Sequence, residues 1–247
     1  MDNTKLISIA TNAVLLAGKK LLQTYNEEII INSSKGKDIK LQADIESEKI
    51  ILNLLQKETN IPILSEEEGF LNYDKNNCNR WIVDPLDGSL NFSKNIPLNC
   101  ISIGLWKNNI PIFGVIYNFL HDDIYIGEVG VGATLNGKKI SVSSIDDLSK
   151  SILCTGFPVY SSFDTDTLTD FVINIQEYKK IRLLGSAALS LCFVACGSVE
   201  GYQENDIAIW DVAAGIALVL AAGGKVDFSF GNKENLLNVF ASNGLIG

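Results

Sequence analysis

The chain has 247 residues, of which 47% are apolar and 20% charged, and its formal net charge is −9. This length and apolar content fit one large domain or two small fused ones with a sizeable core. The acidic balance argues against binding to a nucleic-acid polymer, which needs Lys and Arg to neutralise phosphates, and no apolar run reaches the roughly 18 residues that indicate a membrane span.

Two helices are predicted near the start of the chain. Apolar positions at helical spacing predict a helix over 4–24 and another over 42–58. The polar, basic stretch 32–38 between them is predicted to be a loop. The first twenty residues have an acid at position 2 and a broken apolar run, so we expect no secretory signal. The five cysteines show no CxxC spacing, which favours buried free thiols and a cytoplasmic protein.

Strands dominate residues 61–142. A short strand over 61–65 runs into three glutamates, and a second over 80–84 ends at Asp84, where Pro85 is expected to turn the chain. Residues 99–142 form successive apolar runs at hairpin spacing, which predicts an antiparallel meander.

The pattern changes after residue 142 to alternating strands and helices, which predicts a layered α/β half. We therefore divide the chain into a part over 1–142, with the first helices and the antiparallel sheet, and an α/β part over 143–247. The helix that begins near Trp210 is apolar nearly all round, so we expect it to lie buried between layers.

Several chemistries lack the residues that they need. His121 is the only histidine, so a zinc site with two or three imidazoles is excluded; its position between strands indicates a turn. The stretch 132–139 comes close to a phosphate-binding loop but ends in Lys139 instead of a hydroxyl residue. Within it, Asn136-Gly137 is typical of a type I′ hairpin turn.

Carboxylates at the ends of predicted elements are the remaining candidates for chemistry. They are Glu66, Glu67, Glu68, Asp84, Asp87 and Asp211. Strand ends gather ligands in layered α/β folds, and gathered carboxylates repel one another unless divalent cations lie between them. Oxygen ligands without imidazole select magnesium, manganese or calcium. Taken singly, each acid has a plainer reading: a solvated loop for the glutamates, a turn for Asp87, or a helix N-cap for Asp211.

The motifs taken together resemble a known family. The stretch WIVDPLDGSLNF, 81–92, resembles the W-[IV]-[IV]-D-P-[IL]-D-G-[ST]-x-N-F signature of the inositol monophosphatase superfamily of magnesium-dependent, lithium-sensitive phosphatases. LSEEEG (64–69), GSAAL (185–189) and IWDVAAG (209–215) resemble further segments of that family, in its order. The resemblance implies a layered αβαβα sandwich of the inositol monophosphatase and fructose-1,6-bisphosphatase type, and a homodimer.

The resemblance also implies a cofactor and residue roles. Two or three Mg²⁺ ions are expected, with Mn²⁺ as a substitute and Li⁺ and Ca²⁺ as inhibitors. The implied metal ligands are Glu66, Asp84, Asp87, Asp211 and the carbonyl of Leu86. The implied catalytic residues are Glu66, Glu67, Ser89, which would orient the attacking water, and Asp44. Substrate contacts are implied for Asp87, Gly88, Ser89, Gly185, Ser186, Ala187, Glu204 and Asp211.

One stretch departs from the family pattern. Leu41 stands where the family has a threonine, so we expect the hydrogen bonds around Asp44 to differ. We also hypothesise that Lys35 or Lys37, in the loop before it, approaches the phosphate.

The substrate is predicted from one further acid. Glu204, seven residues before Asp211, resembles the family's ligand for inositol hydroxyls; the plainer reading is an exposed loop acid. We predict a phosphatase for inositol monophosphate or a related polyol or sugar phosphate, a small phosphorylated metabolite. One alternative is a 3′(2′),5′-bisphosphate nucleotidase acting on 3′-phosphoadenosine 5′-phosphate. The other is a weakly active family member that serves as a binding or regulatory partner.

Overall fold

The computed structural model describes residues 2–25, 30–35, 38–72, 78–157, 164–231 and 233–246. The helices in this part of the chain are α1 (Asn3–Thr24), α2 (Gln42–Glu58), α3 (Ser89–Ser93), α4 (Thr165–Ile175), α5 (Ala187–Ala195) and α6 (Ile209–Ala221), with a 3-10 turn at Leu148–Lys150. The strands are β1 (Ile31–Lys35), β2 (Asp38–Leu41), β3 (Ile63–Ser65), β4 (Gly69–Leu71), β5 (Asn79–Asp87), β6 (Cys100–Lys107), β7 (Ile110–Asn118), β8 (Asp123–Glu128), β9 (Gly132–Leu135), β10 (Lys138–Ile140), β11 (Ile152–Thr155), β12 (Lys180–Arg182), β13 (Gly201–Ala208), β14 (Lys225–Phe230) and β15 (Leu236–Ser242).

The two N-terminal helices confirm the sequence prediction. The loop predicted over 32–38 is wrong for residues 32–35 and 38, and residues 36–37 lie outside the described part of the chain. Strands β1 and β2 pair antiparallel in that region, with Ile31 opposite Leu41 at the base. The polar composition predicted a loop. Strand pairing, however, uses the backbone N–H and C=O groups, which polar residues carry as well as apolar ones. Leu41 is fully buried and ties the base of this hairpin to the core.

The first large sheet has eight strands in the order β10-β9-β8-β7-β6-β5-β3-β4. Its antiparallel run from β6 to β10 confirms the predicted meander. Asn136 and Gly137 both have positive φ, at 49° and 75°, as the predicted type I′ turn requires. His121 lies in the turn between β7 and β8, also as predicted.

Helices α1 and α2 cover one face of this sheet. Apolar side chains of both helices and of the sheet form one buried core there. Within it, the rings of Trp81 and Phe113 meet edge to face, with centroids 5.7 Å apart, a favoured aromatic geometry.

Helix α6 lies against the opposite face, over a row of glycines. Gly104, Gly114 and Gly127 are paired directly across β6, β7 and β8. A Cβ atom at Gly114 would lie 2.1 Å from the carbonyl oxygen of Ala214 in α6. The missing side chains therefore let the helix backbone approach the sheet closely.

The second sheet has five strands in the order β12-β11-β13-β15-β14, and β11 runs parallel to both β12 and β13. The connection through α4 leads from β11 to its neighbour β12. The connection through α5 leads back in the opposite direction, from β12 past β11 to β13. Since such crossovers are right-handed, the two helices lie on opposite faces. Helix α5 packs on α6, which contacts both sheets.

This arrangement is a layered αβαβα sandwich, so the predicted fold class is confirmed, and so is the buried position of the apolar helix. The division of the chain at residue 142 stays a prediction. No helix among the described residues is long and apolar enough to cross a membrane.

The cysteines are free thiols. Three of them, Cys100, Cys154 and Cys192, are buried as predicted, and Cys196 is half-buried. The prediction is wrong for Cys78, which is exposed because it precedes β5 at the surface of the protein.

Candidate active site

A bulge in β5 brings two acids to one face of the sheet. The strand continues to Asp87, so the predicted strand end at Asp84 is wrong. Asp84 pairs with Ser102 and Asp87 pairs with Cys100, so β5 carries one residue more than β6 between these pairs. Alternate residues of a strand share a face. Asp84 and Asp87 therefore both point toward α6, and Pro85 lies in the bulge, where the ladder loses no donor.

Both side chains are buried and hydrogen-bonded. Asp84 accepts from the backbone N–H of Leu86 at 2.9 Å. Asp87 Oδ2 accepts from the Ser186 hydroxyl and, at 2.8 Å, from the Ala188 N–H. Ser186 is also the N-cap of α5, where its Oγ accepts from the Leu189 N–H at 3.2 Å. The start of α5 is thus attached to β5 through Asp87.

Asp211 reaches the same region from α6. The N-cap of that helix is Ala208, so Asp211 lies in the first turn and the N-cap reading of this acid is wrong. The position still favours a carboxylate, because the helix dipole is positive at its N-terminus. Glu66 arrives from the turn after β3, where its N–H donates to the Val83 carbonyl at 3.2 Å.

Glu66, Asp84, Asp87 and Asp211 form what we call the acid cluster. Burial is the main cause that raises the pKa of each. The charge of Asp84 raises the pKa of Glu66 further, and the charges of Asp87 and Asp211 act likewise on Asp84. For Asp87, hydrogen bonds from Ser186 and from α5 offset part of the burial, and its pKa is about 6.

This electrostatic situation fits a site for hard divalent cations. In addition to burial, charges of neighbouring cluster members raise the pKa values of Glu66, Asp84 and Asp211, so these carboxyl groups hold on to protons when no cation is present. A cation would take the place of those protons and relieve the repulsion, and the ligands offered are all oxygen atoms. Among the described residues, no group of three or more Asp, Glu, His or Cys side chains has the geometry of a formed metal site.

Ser89 and Asp44 lie beside the acid cluster. The Ser89 Oγ is 2.9 Å from both Asp44 Oδ1 and the carbonyl oxygen of Leu86. Asp44 Oδ2 accepts from the backbone N–H of Leu41 at 2.6 Å. Leu41 therefore meets Asp44 through its backbone, where a threonine would add a hydroxyl.

Gly88 ends the strand and begins the short helix α3. Its φ of 86° lies in the left-handed region that favours glycine. A Cβ there would also lie 2.7 Å from the Leu98 carbonyl oxygen. Gly88 is the N-cap of α3, and Ser89 is the first residue of that helix.

A cavity of about 210 Å³ borders the acid cluster. It is lined by Asp87, Thr155, Gly156, Phe157, Gly185, Ser186, Ala187, Ser190, Tyr202, Glu204, Ile207 and Asp211. Most of the predicted substrate contacts are in this lining. Gly88 and Ser89 are not, and they adjoin Asp87 along the chain.

Glu204 lies in this cavity, so the reading as an exposed loop acid is wrong. Its side chain is buried, and Oε2 accepts from the Tyr202 hydroxyl at 3.0 Å. A Cβ atom at Gly156 would lie 2.3 Å from the same oxygen. Burial raises the pKa of Glu204 to about 7.

Tyr202 was missed by the sequence reasoning. It stands two positions before Glu204 in β13, and alternate strand positions share a face. That spacing was the available signal.

The backbones of Glu67, Glu68 and Gly185 are held by hydrogen bonds with neighbouring segments. Backbone N–H groups of Glu67 and Glu68 both donate to Glu48 Oε1 at 3.2 Å. Gly185 receives a 3.3 Å hydrogen bond on its carbonyl from Asn91. Lys37 and the side chain of Lys35 lie outside the described residues.

Comparisons with known proteins agree with this geometry. A sequence profile of the inositol monophosphatase family matches residues 2–244. An inositol-1-monophosphatase of Synechocystis is 39% identical over 225 residues, covering 89% of this chain and 77% of the relative. A Nus factor SuhB of Xylella fastidiosa is 36% identical, covering 89% and 80%. The crystal structure of the extragenic suppressor protein suhB from Bartonella henselae superposes with a TM-score of 0.88, at 33% identity and with 98% and 95% of the two chains covered.

The sandwich fold and these relatives define a hydrolase of phosphate monoesters. Such enzymes generally use divalent metal ions. The chain belongs to the inositol monophosphatase family.

Proposed function

We propose that the chain is a magnesium-dependent phosphatase for inositol monophosphate or a closely related polyol phosphate. The observation that carries this proposal is the lining of the cavity. Asp87 and Asp211 of the acid cluster lie in the same lining as Glu204. A carboxylate that does not belong to the acid cluster suits a substrate with hydroxyl groups, because it can accept their hydrogen bonds.

The proposed cation ligands are the acid cluster and the carbonyl of Leu86. Bound Mg²⁺ would supply charge neutralisation for the phosphate and a lowered pKa for a water. The protein needs to contribute little covalent chemistry to phosphoryl transfer, so positioning is its main task. The hydrogen bonds from Ser186 and α5 serve that task by fixing Asp87.

Ser89 is proposed to orient the attacking water. Its one hydroxyl proton can be donated to Asp44 Oδ1 or to the Leu86 carbonyl oxygen, both 2.9 Å away, and in either case its oxygen lone pairs can accept from a water. Asp44 is held by the Leu41 N–H and so keeps the serine in that orientation. Glu67, adjacent to Glu66, is proposed to stay close to the cations. The N–H groups of Gly88 and Ser89 are proposed to contact the phosphate.

Phosphate release tests the proposal directly. The chain should release phosphate from inositol 1-phosphate with Mg²⁺ and release none in EDTA. A parallel assay with 3′-phosphoadenosine 5′-phosphate separates the nucleotidase alternative. Faster release from the nucleotide would overturn the polyol assignment and keep the phosphatase.

The same assay tests the alternative of another class. A relative is named as a Nus factor, which makes a binding or regulatory role a concrete alternative. The retained acid cluster favours catalysis, since binding alone gives no reason to keep four mutually repelling carboxylates. No turnover of any phosphate monoester with Mg²⁺ would favour the binding role. The homodimer, the ion selectivity for Mg²⁺ and the cytoplasmic location stay predictions.

A further inference from the structure

One face of α2 is attached to three segments that build the site. Asp44, Ser47 and Glu48 are its buried polar residues, and their spacing puts them on one side of the helix. Asp44 bonds to Ser89, and the Ser47 hydroxyl donates to the Pro85 carbonyl in the β5 bulge at 2.7 Å. Glu48 bonds to the turn between β3 and β4.

Glu48 accepts three hydrogen bonds, from β3 and from the turn that follows it. Its Oε1 accepts from the Ser65 hydroxyl and from the N–H groups of Glu67 and Glu68, both at 3.2 Å. These donors flank Glu66, whose own N–H bonds to Val83. The turn is therefore held from two sides, by β5 and by α2.

The fold alone does not account for a carboxylate at this position. Glu48 is 2% exposed, and a buried carboxylate costs free energy unless donors surround it. Here the donors of these three bonds all come from the segment that carries Glu66. An apolar residue would fill the same space on α2 but would leave two backbone N–H groups of the turn without an acceptor.

We propose that Glu48 is a positioning residue that holds the turn at Glu66–Glu68 so that the Glu66 carboxylate faces the cation. This inference rests on the proposed function in one respect, because it takes Glu66 as a metal ligand. Glu48 acts through the backbone of the turn. Residues that orient a metal ligand without contacting the metal typically change the metal affinity by about 10- to 100-fold when they are replaced.

The test compares Glu48→Ala and Glu48→Gln with a matched control. Glu200 is also a buried carboxylate, 3% exposed, and accepts from the Ser143 hydroxyl at 3.0 Å and from the Ile152 N–H at 2.7 Å. Glu200 directly precedes β13 and contacts the first residue of β11, whereas the cavity lies at the other end of β11, beside Thr155. Glu200→Ala therefore removes a comparable buried acceptor at a distance from the site.

Two readouts are needed, both independent of turnover. Mg²⁺ binding is measured by calorimetric titration, and exchange of the Glu67 and Glu68 amide protons is measured in the metal-free protein. Glu48→Ala should weaken Mg²⁺ binding about tenfold or more. It should also speed the exchange of both amide protons. Glu48→Gln keeps an acceptor oxygen and should recover most of the affinity, while Glu200→Ala should leave both readouts as in the wild type.

The outcomes separate this inference from the proposed function. Unchanged Mg²⁺ affinity in Glu48→Ala, or an equal loss in Glu200→Ala, would overturn the role of Glu48 while phosphatase activity stands. If Glu48→Ala does not fold, Ser65→Ala takes its place because it removes one of the donors that join Glu48 to this segment. Wild-type Mg²⁺ affinity together with wild-type amide exchange in Ser65→Ala would then overturn the role. If the chain shows no phosphatase turnover but its Mg²⁺ affinity still falls in Glu48→Ala, the proposed function is wrong and the role of Glu48 stands. A wild-type chain that binds no Mg²⁺ would overturn both.

Discussion

Asp84 and Asp87 face the same way although three positions separate them along one strand, because β5 bulges by one residue between them. Both belong to the acid cluster, and Asp84 interacts electrostatically with its other three members: in addition to burial, its charge raises the pKa of Glu66, and the charges of Asp87 and Asp211 raise its own pKa. Loss of the Asp84 charge should therefore disturb the whole acid cluster.

Asp84→Asn should reduce magnesium-dependent phosphate release by at least about a thousandfold. The amide keeps the shape of the side chain but removes the charge that a shared cation ligand needs. The change also relieves repulsion in the metal-free protein, so its thermal stability in EDTA should not fall. Asp227→Asn, on the edge strand β14, is the control and should leave the rate unchanged. Substantial turnover by Asp84→Asn would contradict the metal assignment.

Glu204→Gln should impair polyol substrates selectively. Loss of a hydrogen bond to a charged group costs about 1.5–3 kcal/mol, or about tenfold or more in kcat/KM for inositol 1-phosphate. Phenyl phosphate has no hydroxyl for Glu204 to accept from, so its kcat/KM should change little. Tyr202→Phe should act in the same direction with a smaller effect, because the tyrosine only fixes the carboxylate. Equal losses on both substrates would point to a structural role for Glu204.

Glu204 should also make the metal-free protein less stable as the pH rises. Its pKa is raised from 4.5 to about 7 by burial. Between those values the folded chain keeps a proton that the unfolded chain has released, so the free energy of unfolding falls with rising pH. Urea unfolding in EDTA at pH 5 and at pH 7.5 measures the fall. In Glu204→Gln the fall should be smaller by about 1–3 kcal/mol, and an identical fall would refute the assignment.

Gly114→Ala should destabilise the protein and slow the enzyme together. Its Cβ would meet the backbone of α6 at Ala214, and such overpacking costs about 1–3 kcal/mol. Since α6 also carries Asp211, phosphate release should fall as the helix is displaced. Ser229→Ala, on the exposed edge strand β14, should change the unfolding free energy by less than about 0.5 kcal/mol. Unaltered stability of Gly114→Ala, measured by urea unfolding, would show that the helix is not seated on the glycine row.

The sequence predicts elements well wherever periodicity is strong. The bounds of α2 were predicted to the residue, because its apolar face repeats at helical spacing and breaks cleanly at both ends. The meander was predicted for the same reason, with alternation and turn residues in agreement.

Features that depend on pairing between distant segments could not be predicted in this way. The β5 bulge is defined only by its partner strand, so Pro85 alone suggested a turn. The paired strands β1 and β2 are mostly polar and carry no periodic apolar signal. Glu204 could be assigned to substrate by resemblance, but its burial depends on Gly156 and Tyr202, which reach it only in the folded protein. Glu48 gave no signal, because its donors lie in another segment.

The row of Gly104, Gly114 and Gly127 under α6 determines how far apart two of the proposed ligands stand. Asp211 begins this helix, and Asp84 lies on the sheet against which it rests, so their separation follows from direct contact between two rigid backbones. Loops around the mouth of the cavity can then vary in length and composition without altering that distance. A change of substrate preference made at the rim therefore need not change the spacing of Asp84 and Asp211.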